Sequence, residues 1–159
     1  MSNTISNVRL VSNGQGKRLN VLGDSQRILL TGEDTAGSYA LVENYNSPGV
    51  SIPLHLHRNE DETFYVVAGE VDFQINGEIV RASAGTTVYL PRNAPHSFTV
   101  VGSEPAKMLM MLMPAGLEKY FEELSRLPSE EPPDMEKVFE ISARYGIEFL
   151  SPPDNATAV

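Results

Sequence analysis

The sequence predicts an all-β barrel followed by C-terminal α-helices, within one domain of 159 residues. Over roughly the first hundred residues, short apolar segments alternate with glycine-containing turns, a cadence typical of a β-sandwich or barrel. Beyond Met113, apolar residues recur instead at helical spacing. The change of period separates a barrel from a helical extension.

Most of the predicted strands are short apolar segments bounded by turn residues, and one pair also carries a specific turn signal. Val71–Ile75 alternates apolar and polar residues, and Asn76-Gly77 then joins it to Glu78–Val80. Asn-Gly is preferred in type I′ turns, where both residues have positive φ, so a hairpin is predicted here. In chain order the other predicted strands are Arg27–Thr31, Tyr39–Tyr45, Thr63–Val67, Thr86–Leu90, Ser97–Val100 and Lys107–Leu112.

The C-terminal part is predicted to contain two helices. Leu117, Tyr120, Phe121, Leu124 and Leu127 share one helical face, which predicts a helix over 116–127. Asp134 is a candidate N-cap for a second helix that stops near Tyr145, before Gly146. Residues 147–150 could add a short strand. We therefore divide the single domain into an N-terminal arm (1–20), a barrel (21–113), a helical extension (114–150) and a tail (151–159).

Composition and charge exclude several classes of function. The net charge of −9 argues against a nucleic-acid partner, since phosphate binding needs a basic surface. The basic residues are scattered, so no membrane-binding patch is expected. The absence of cysteine excludes disulfides, thiolate metal sites and cysteine nucleophiles. Met1 to Gly16 lacks the apolar stretch of a signal peptide, and we expect a cytoplasmic protein.

The three histidines indicate a metal site. His55 and His57 are separated by one residue in an extended segment, so both imidazoles can face one cavity. Glu62 follows five residues later, and His96 follows a proline-flanked turn. Imidazoles and one carboxylate on a β scaffold commonly bind Fe, Mn, Ni, Cu or Zn. Alternate residues of any strand face the same side, so a His-x-His pair alone is weak evidence for a metal site. The glycines and prolines around the pair are stronger evidence.

Those glycines and prolines form a pattern that resembles the cupin superfamily. The first motif is matched by Gly49-x5-His55-x-His57-x4-Glu62-x6-Gly69, and the second by Gly85-x5-Pro91 and His96. The sequence departs from the second motif at Asn93, where glycine is usual, and at Val100, where asparagine is usual. The resemblance implies a cupin-type double-stranded β-helix, or jelly roll. It also implies that His55, His57, Glu62 and His96 bind one divalent transition metal ion (Fe, Ni, Mn, Cu, Co or Zn).

A narrower resemblance extends beyond the two motifs. Thr35–Gly37, Asp61–Val66, Pro91-Arg92, Pro114–Phe121 and the segment from Tyr145 to Pro153 resemble small bacterial one-barrel cupins related to quercetin 2,3-dioxygenase. That likeness implies a homodimer acting on a small-molecule substrate.

Strand parity predicts which side chains surround the metal. Phe64 and Val66 share the inward face of Glu62, and Phe98 shares that of His96. These side chains either form an apolar wall suited to a flat aromatic or enolic substrate, or simply fill the barrel.

Three kinds of function use the same residues. In the first, a dioxygenase, a substrate hydroxyl would bind the metal and lose its proton to Glu62, acting as both ligand and base, before reaction with O2. The second is a non-oxidative isomerase, cyclase or lyase, and the third is a small-molecule-binding module without catalysis.

Overall fold

The computed structural model describes residues 8–150, which form two antiparallel β-sheets and two helices. The first sheet has the order β1-β2-β3-β10-β5-β8, with the following strands: β1 Lys17–Val21, β2 Asp24–Leu30, β3 Ala40–Asn46, β5 Asp61–Ala68, β8 Thr87–Leu90 and β10 Ala106–Met113. The second has the order β11-β4-β9-β6-β7: β4 Ser51–His57, β6 Glu70–Ile75, β7 Glu78–Ser83, β9 His96–Val101 and β11 Ile147–Phe149. The helices are α1 Leu117–Ser125 and α2 Met135–Arg144.

The predicted double-stranded β-helix is confirmed. Successive strands cross between the sheets, so that β10 lies between β3 and β5, and β9 lies between β4 and β6. Inward side chains alternate along these strands, and in β10 every second residue from Ala106 to Leu112 is buried. Alternation in sequence thus builds a shared core between the sheets.

One detail of the predicted organisation differs from the structure. β1 lies largely inside the predicted N-terminal arm, yet it pairs along its whole length with β2. Only Val21 of this strand is buried, so apolar alternation gives no signal for it. Residues 1–7 of the arm and the predicted tail 151–159 lie outside the described residues.

The structure shows the conformation of the predicted hairpin turn and of the two positions that depart from the cupin motif. Asn76 and Gly77 have φ of 52° and 80°, which confirms the predicted type of turn. Asn93 has φ of 68°, so it adopts the conformation that glycine would take. Val100 is 1% exposed and packs in the core, so the usual asparagine is replaced by an apolar core residue.

Both predicted C-terminal helices are present and lie against the barrel. α1 buries Leu117, Tyr120, Phe121 and Leu124. Asp134 caps α2 as predicted, since its side chain accepts a hydrogen bond from the backbone N–H of Lys137. The chain then returns as β11 and pairs with β4. Within residues 8–150, no helix is long and apolar enough to cross a membrane.

Candidate metal centre

The four predicted ligands converge in the folded chain. His55 and His57 come from the end of β4, Glu62 from the start of β5, and His96 from the first position of β9. All four side chains are buried, and one ligand atom from each lies within 4.8 Å of the others. The structure therefore brings together residues that are 41 positions apart in sequence, from His55 to His96.

A β-bulge in β4 positions His55. Ile52 pairs with Phe98 and His55 pairs with His96, so three steps along β4 match two along β9. The irregular segment includes Pro53, which has no N–H to contribute to the ladder. The carbonyl oxygen of Pro53 is 2.7 Å from Nδ1 of His55. The irregularity thus supplies the carbonyl that orients the imidazole.

The turn between β8 and β9 positions His96 in a similar way. The carbonyl oxygen of Ala94 is 2.9 Å from Nδ1 of His96. Asp61, beside Glu62, accepts hydrogen bonds from the backbone N–H and the guanidinium of Arg92. The Asn93 backbone N–H donates to the carbonyl of His57 at 2.7 Å. The turn is therefore fastened to both neighbouring ligand-bearing strands.

The hydrogen bonds at Nδ1 determine the tautomers of two histidines. A carbonyl oxygen only accepts, so Nδ1 of His55 and of His96 must carry the proton. In the neutral ring, Nε2 then has a free lone pair, the form that binds a metal. Nδ1 of His57 is 3.8 Å from Oε2 of the buried Glu60, too far for a hydrogen bond.

The distances between ligand atoms fit a shared metal ion. Nε2 of His55 lies 3.1 Å from Nε2 of His57, and Oε2 of Glu62 lies 3.2 Å and 2.9 Å from Nε2 of His57 and His96. Two atoms each about 2.1 Å from one ion are about 3.0–3.4 Å apart for right-angle to tetrahedral geometry. Within residues 8–150, Glu62 Oε2 and His96 Nε2 lack a properly aligned hydrogen bond despite their proximity. Close atoms without alignment are expected of ligands that face a common ion.

Charges within the cluster shift the pKa values in opposite directions. Burial, together with the neighbouring His96 and His57 rings, lowers the pKa of His55 to about 3. Burial also opposes protonation of His57, but Glu62 and Glu60 outweigh it and raise the His57 pKa to about 9. Burial disfavours the Glu62 carboxylate, yet His57 and His96 hold its pKa below the usual range. Without an ion, protonated His57 faces the Glu62 carboxylate, and a divalent cation could replace that positive charge.

A cavity of about 250 Å³ adjoins the cluster. Phe64 and Phe98 border it, as predicted for an apolar wall. They also contact each other and Phe73, with ring centroids 5.3–6.0 Å apart, and so fill the barrel as well. The prediction that Val66 lines the pocket is not matched, because Val66 is fully buried and does not border the cavity. It lies two residues further along β5 than Phe64, beyond the cavity's extent.

Other cavity residues were not predicted from the sequence. Tyr120, Phe121 and Leu124 of α1 and Met135 and Val138 of α2 form part of the wall, so the helical extension helps to enclose the site. The helical spacing of the α1 residues predicted one apolar face, but not what that face would cover.

The second unpredicted group is polar: Asp24, Gln26 and Asn44. Burial raises the pKa of Asp24, although hydrogen bonds from neighbouring amides oppose that effect. The sequence could have indicated this group, because Asp24 and Gln26 have the same strand parity as Ile28, and Asn44 has that of Val42.

Comparisons with known proteins agree with this geometry. A family model described as "Cupin domain" matches residues 45–112. Quercetin 2,3-dioxygenase of Bacillus subtilis (strain 168) is 28% identical over 115 residues, covering 72% of this chain and 34% of that protein. Tetracenomycin polyketide synthase protein TcmJ of Streptomyces glaucescens is 27% identical over 93 residues, covering 58% of this chain and 62% of that protein. The chain thus spans about a third of the first relative and under two thirds of the second.

A solved structure shows the same architecture. KdgF from Halomonas sp. superposes with a TM-score of 0.62 at 19% sequence identity, covering 70% of this chain and 99% of that one. At that identity the likeness concerns the fold alone. The two-sheet barrel, the matched domain and the four converging side chains are consistent with one another. Residues 45–112 of this chain thus match the cupin domain, within a double-stranded β-helix.

Proposed function

We propose that this protein is a metal-dependent dioxygenase that acts on a hydroxyaromatic or enolic small molecule, with His55, His57, Glu62 and His96 holding one divalent transition metal ion. The observation that carries the proposal is the convergence of three imidazoles and one carboxylate beside a largely apolar cavity. The partial similarity to quercetin 2,3-dioxygenase supports the oxidative chemistry.

The chain's own residues have separable roles in this proposal. A bound divalent ion would lower the pKa of a coordinated substrate hydroxyl and stabilise the resulting oxyanion. Glu62 is the only carboxylate among the four converging side chains, so it is the group placed to accept the hydroxyl proton through one of its oxygens. Phe64 and Phe98 would hold an aromatic ring against the cluster and exclude water from it.

A second candidate is a non-oxidative reaction at the same site. The similarity to a polyketide synthase protein favours a substrate with several carbonyl groups, on which Glu62 would move a proton without O2. The same pocket and ligands serve both reactions. Consumption of O2 therefore distinguishes them.

The test begins with protein purified without chelators or affinity nickel. Its metal content would be measured by elemental analysis, and O2 uptake would be followed with quercetin and with simple 1,2-dihydroxyaromatic compounds. We expect about one ion per chain and metal-dependent O2 consumption. Conversion without O2 uptake would favour the second candidate, and tight binding without conversion would favour a binding module.

A pair of variants tests the ligand assignment. His57→Ala should lose most of its metal under competition with a mild chelator, because it removes one of four ligands. Glu78→Gln changes an exposed carboxylate at the start of β7 and should keep full metal content. Full occupancy in His57→Ala would show that the ligand set is wrong.

A further inference from the structure

Four polar side chains, none of them a candidate metal ligand, form a buried cluster on the inner face of the six-stranded sheet. Asp24 and Gln26 lie on β2, and Asn44 and Asn46 lie on β3. Gln26 and Asn44 are directly paired across these strands. Each of the four is at most 4% exposed, in positions where this barrel otherwise carries apolar residues.

Asp24 organises the cluster because its carboxylate accepts hydrogen bonds from three amide groups. Gln26 donates to it at 2.8 Å, Asn44 at 3.0 Å and Asn46 at 2.7 Å. Each amide must direct its NH2 group toward the carboxylate. The three amide oxygens therefore have to find donors elsewhere.

Only one of those three oxygens is satisfied within residues 8–150. Oδ1 of Asn46 accepts from the backbone N–H of Ser25 at 2.8 Å. Oε1 of Gln26 and Oδ1 of Asn44 are buried without a hydrogen-bond partner in this part of the chain. Both residues border the cavity that also contains the candidate metal ligands, whereas Asn46 does not. Buried polar groups are normally paired, so two unpaired acceptors on residues that border the cavity point to donors other than those of residues 8–150.

We propose that Gln26 and Asn44 recognise hydroxyl groups of the bound substrate, and that Asp24 is the positioning residue that orients both amides. This deepens the proposed function and rests on it, because it takes the same cavity as the substrate site. The ligand class is an uncharged aromatic or enolic molecule. One oxygen of the ligand approaches the metal ligands, and hydroxyl donors elsewhere on it meet the two amides.

The chemistry of the walls narrows this class further. Asp24 offers only acceptor atoms to its surroundings in this arrangement, and so do the two free amide oxygens. An anionic ligand would bring its own acceptors against them and leave them unpaired. The remaining wall is largely apolar and aromatic, with Phe64, Phe98 and Phe121 among its members. Neutral hydroxylated rings fit these conditions better than small dianions such as oxalate.

The test compares two probes that differ only in the relevant hydroxyls. Quercetin and 3-hydroxyflavone share the hydroxyketone that would meet the metal, but only quercetin carries additional ring hydroxyls. Binding to metal-loaded protein would be measured by anaerobic titration, so that turnover does not interfere. We expect the wild type to prefer quercetin by about 10- to 100-fold. Oxalate should compete weakly or not at all.

Variants identify the residues that cause the preference for quercetin. Gln26→Met and Asn44→Leu keep the approximate volume but remove one acceptor each, and each should reduce the preference several-fold with little change for 3-hydroxyflavone. Asp24→Asn should also reduce the preference for quercetin, because an amide in place of the carboxylate no longer fixes the orientation of Gln26 and Asn44. Asn46→Leu is the matched control: it alters the same cluster without removing a cavity acceptor, and should leave the preference unchanged.

Each alternative outcome has a distinct meaning. Equal affinity of the wild type for the two flavonols overturns the inference, and this result does not depend on whether any variant folds. A preference that survives Gln26→Met and Asn44→Leu also overturns it. If neither flavonol binds, the proposed ligand class is wrong. Metal analysis of the same sample then shows whether the metal centre of the proposed function has failed too.

Discussion

His55 and His96 are oriented by the same local device, a carbonyl oxygen two residues earlier in the chain. Each ring is thereby held with Nε2 facing the other ligand atoms. The device needs an irregular backbone just before the histidine, and Pro53 and the Pro91–Pro95 turn provide it. Metal-ready tautomers therefore follow from backbone geometry and require no additional side chain.

Glu62→Gln separates the ligand role of this residue from its role as a base. Glutamine keeps the size and an oxygen donor, but it cannot take up a proton at neutral pH. We expect somewhat lower metal content and a fall of about 10²- to 10⁴-fold in turnover per bound metal. Turnover per metal within a few-fold of wild type would leave Glu62 as a ligand only.

Phe64→Ala and Phe98→Ala test whether these rings support the barrel. Phe64 is 1% and Phe98 is 4% exposed, so each truncation should lower the free energy of unfolding by about 3–5 kcal/mol. Tyr65→Ala, next to Phe64 on β5, is the control, since its side chain faces outward and is 44% exposed. Chemical denaturation measures all three. Phenylalanine variants as stable as Tyr65→Ala, but with altered ligand affinity, would show that the rings act only as a pocket wall.

At the level of elements, the second sheet gathers most of the site. β4 carries two of the candidate ligands and lies between β9, which carries a third, and β11. Ile147 and Phe149 of β11 pair with His57 and His55. The C-terminal segment therefore braces the strand that presents the histidines, which gives the helical extension a structural connection to the site.

Asp134→Ala tests how strongly α2 depends on its N-cap. The hydrogen bond from the backbone N–H of Lys137 lowers the pKa of Asp134. A depressed pKa in the folded state means that this stabilisation is present above the unfolded-state pKa, near 4, and is lost as pH falls through the folded value. At pH 7 we expect the thermal midpoint to fall by about 2–5 °C.

The control and the pH dependence make this prediction specific. Asp134→Asn keeps a side-chain acceptor and should retain most of the stability at pH 7. The difference between wild type and Asp134→Ala should shrink below pH 4. A difference that stays constant from pH 7 to pH 3 would rule out a contribution from the ionised cap.

At the scale of the whole molecule, metal binding should stabilise the fold without being required for it. A continuous cluster of apolar residues spans both sheets, so the barrel does not need an ion in order to fold. The metal-ligand cluster nevertheless buries a carboxylate and imidazoles whose ligand atoms are not all hydrogen-bonded within residues 8–150. An ion that pairs with them stabilises the folded state alone.

Metal removal should therefore lower the thermal midpoint without unfolding the protein. Free metal at about 100 times its dissociation constant adds about 2.7 kcal/mol, which corresponds to roughly 5–10 °C for a chain of this length. Scanning calorimetry of chelator-treated and metal-reloaded samples measures the shift. His57→Ala should show little response to added metal. An equal shift in that variant would place the stabilising ion elsewhere.

The sequence by itself determined the features that depend on local pattern. Short apolar segments between turn residues predicted most strands, and Asn76-Gly77 predicted the hairpin. The resemblance to the cupin motifs around His55 and His96 predicted four side chains that do converge. Motif spacing works here because these residues sit at strand ends whose positions are set by adjacent glycines and prolines.

Only the tertiary structure decided which other residues share the cavity. Val66 has the same parity as Phe64 yet lies beyond the cavity, whereas Gln26 and Asn44 border it together with residues of α1 and α2. Parity says which face of a sheet a side chain occupies, but not how far along the barrel it lies from the metal ligands. That position depends on the register between strands distant in sequence and on where the C-terminal helices pack, neither of which a local period encodes.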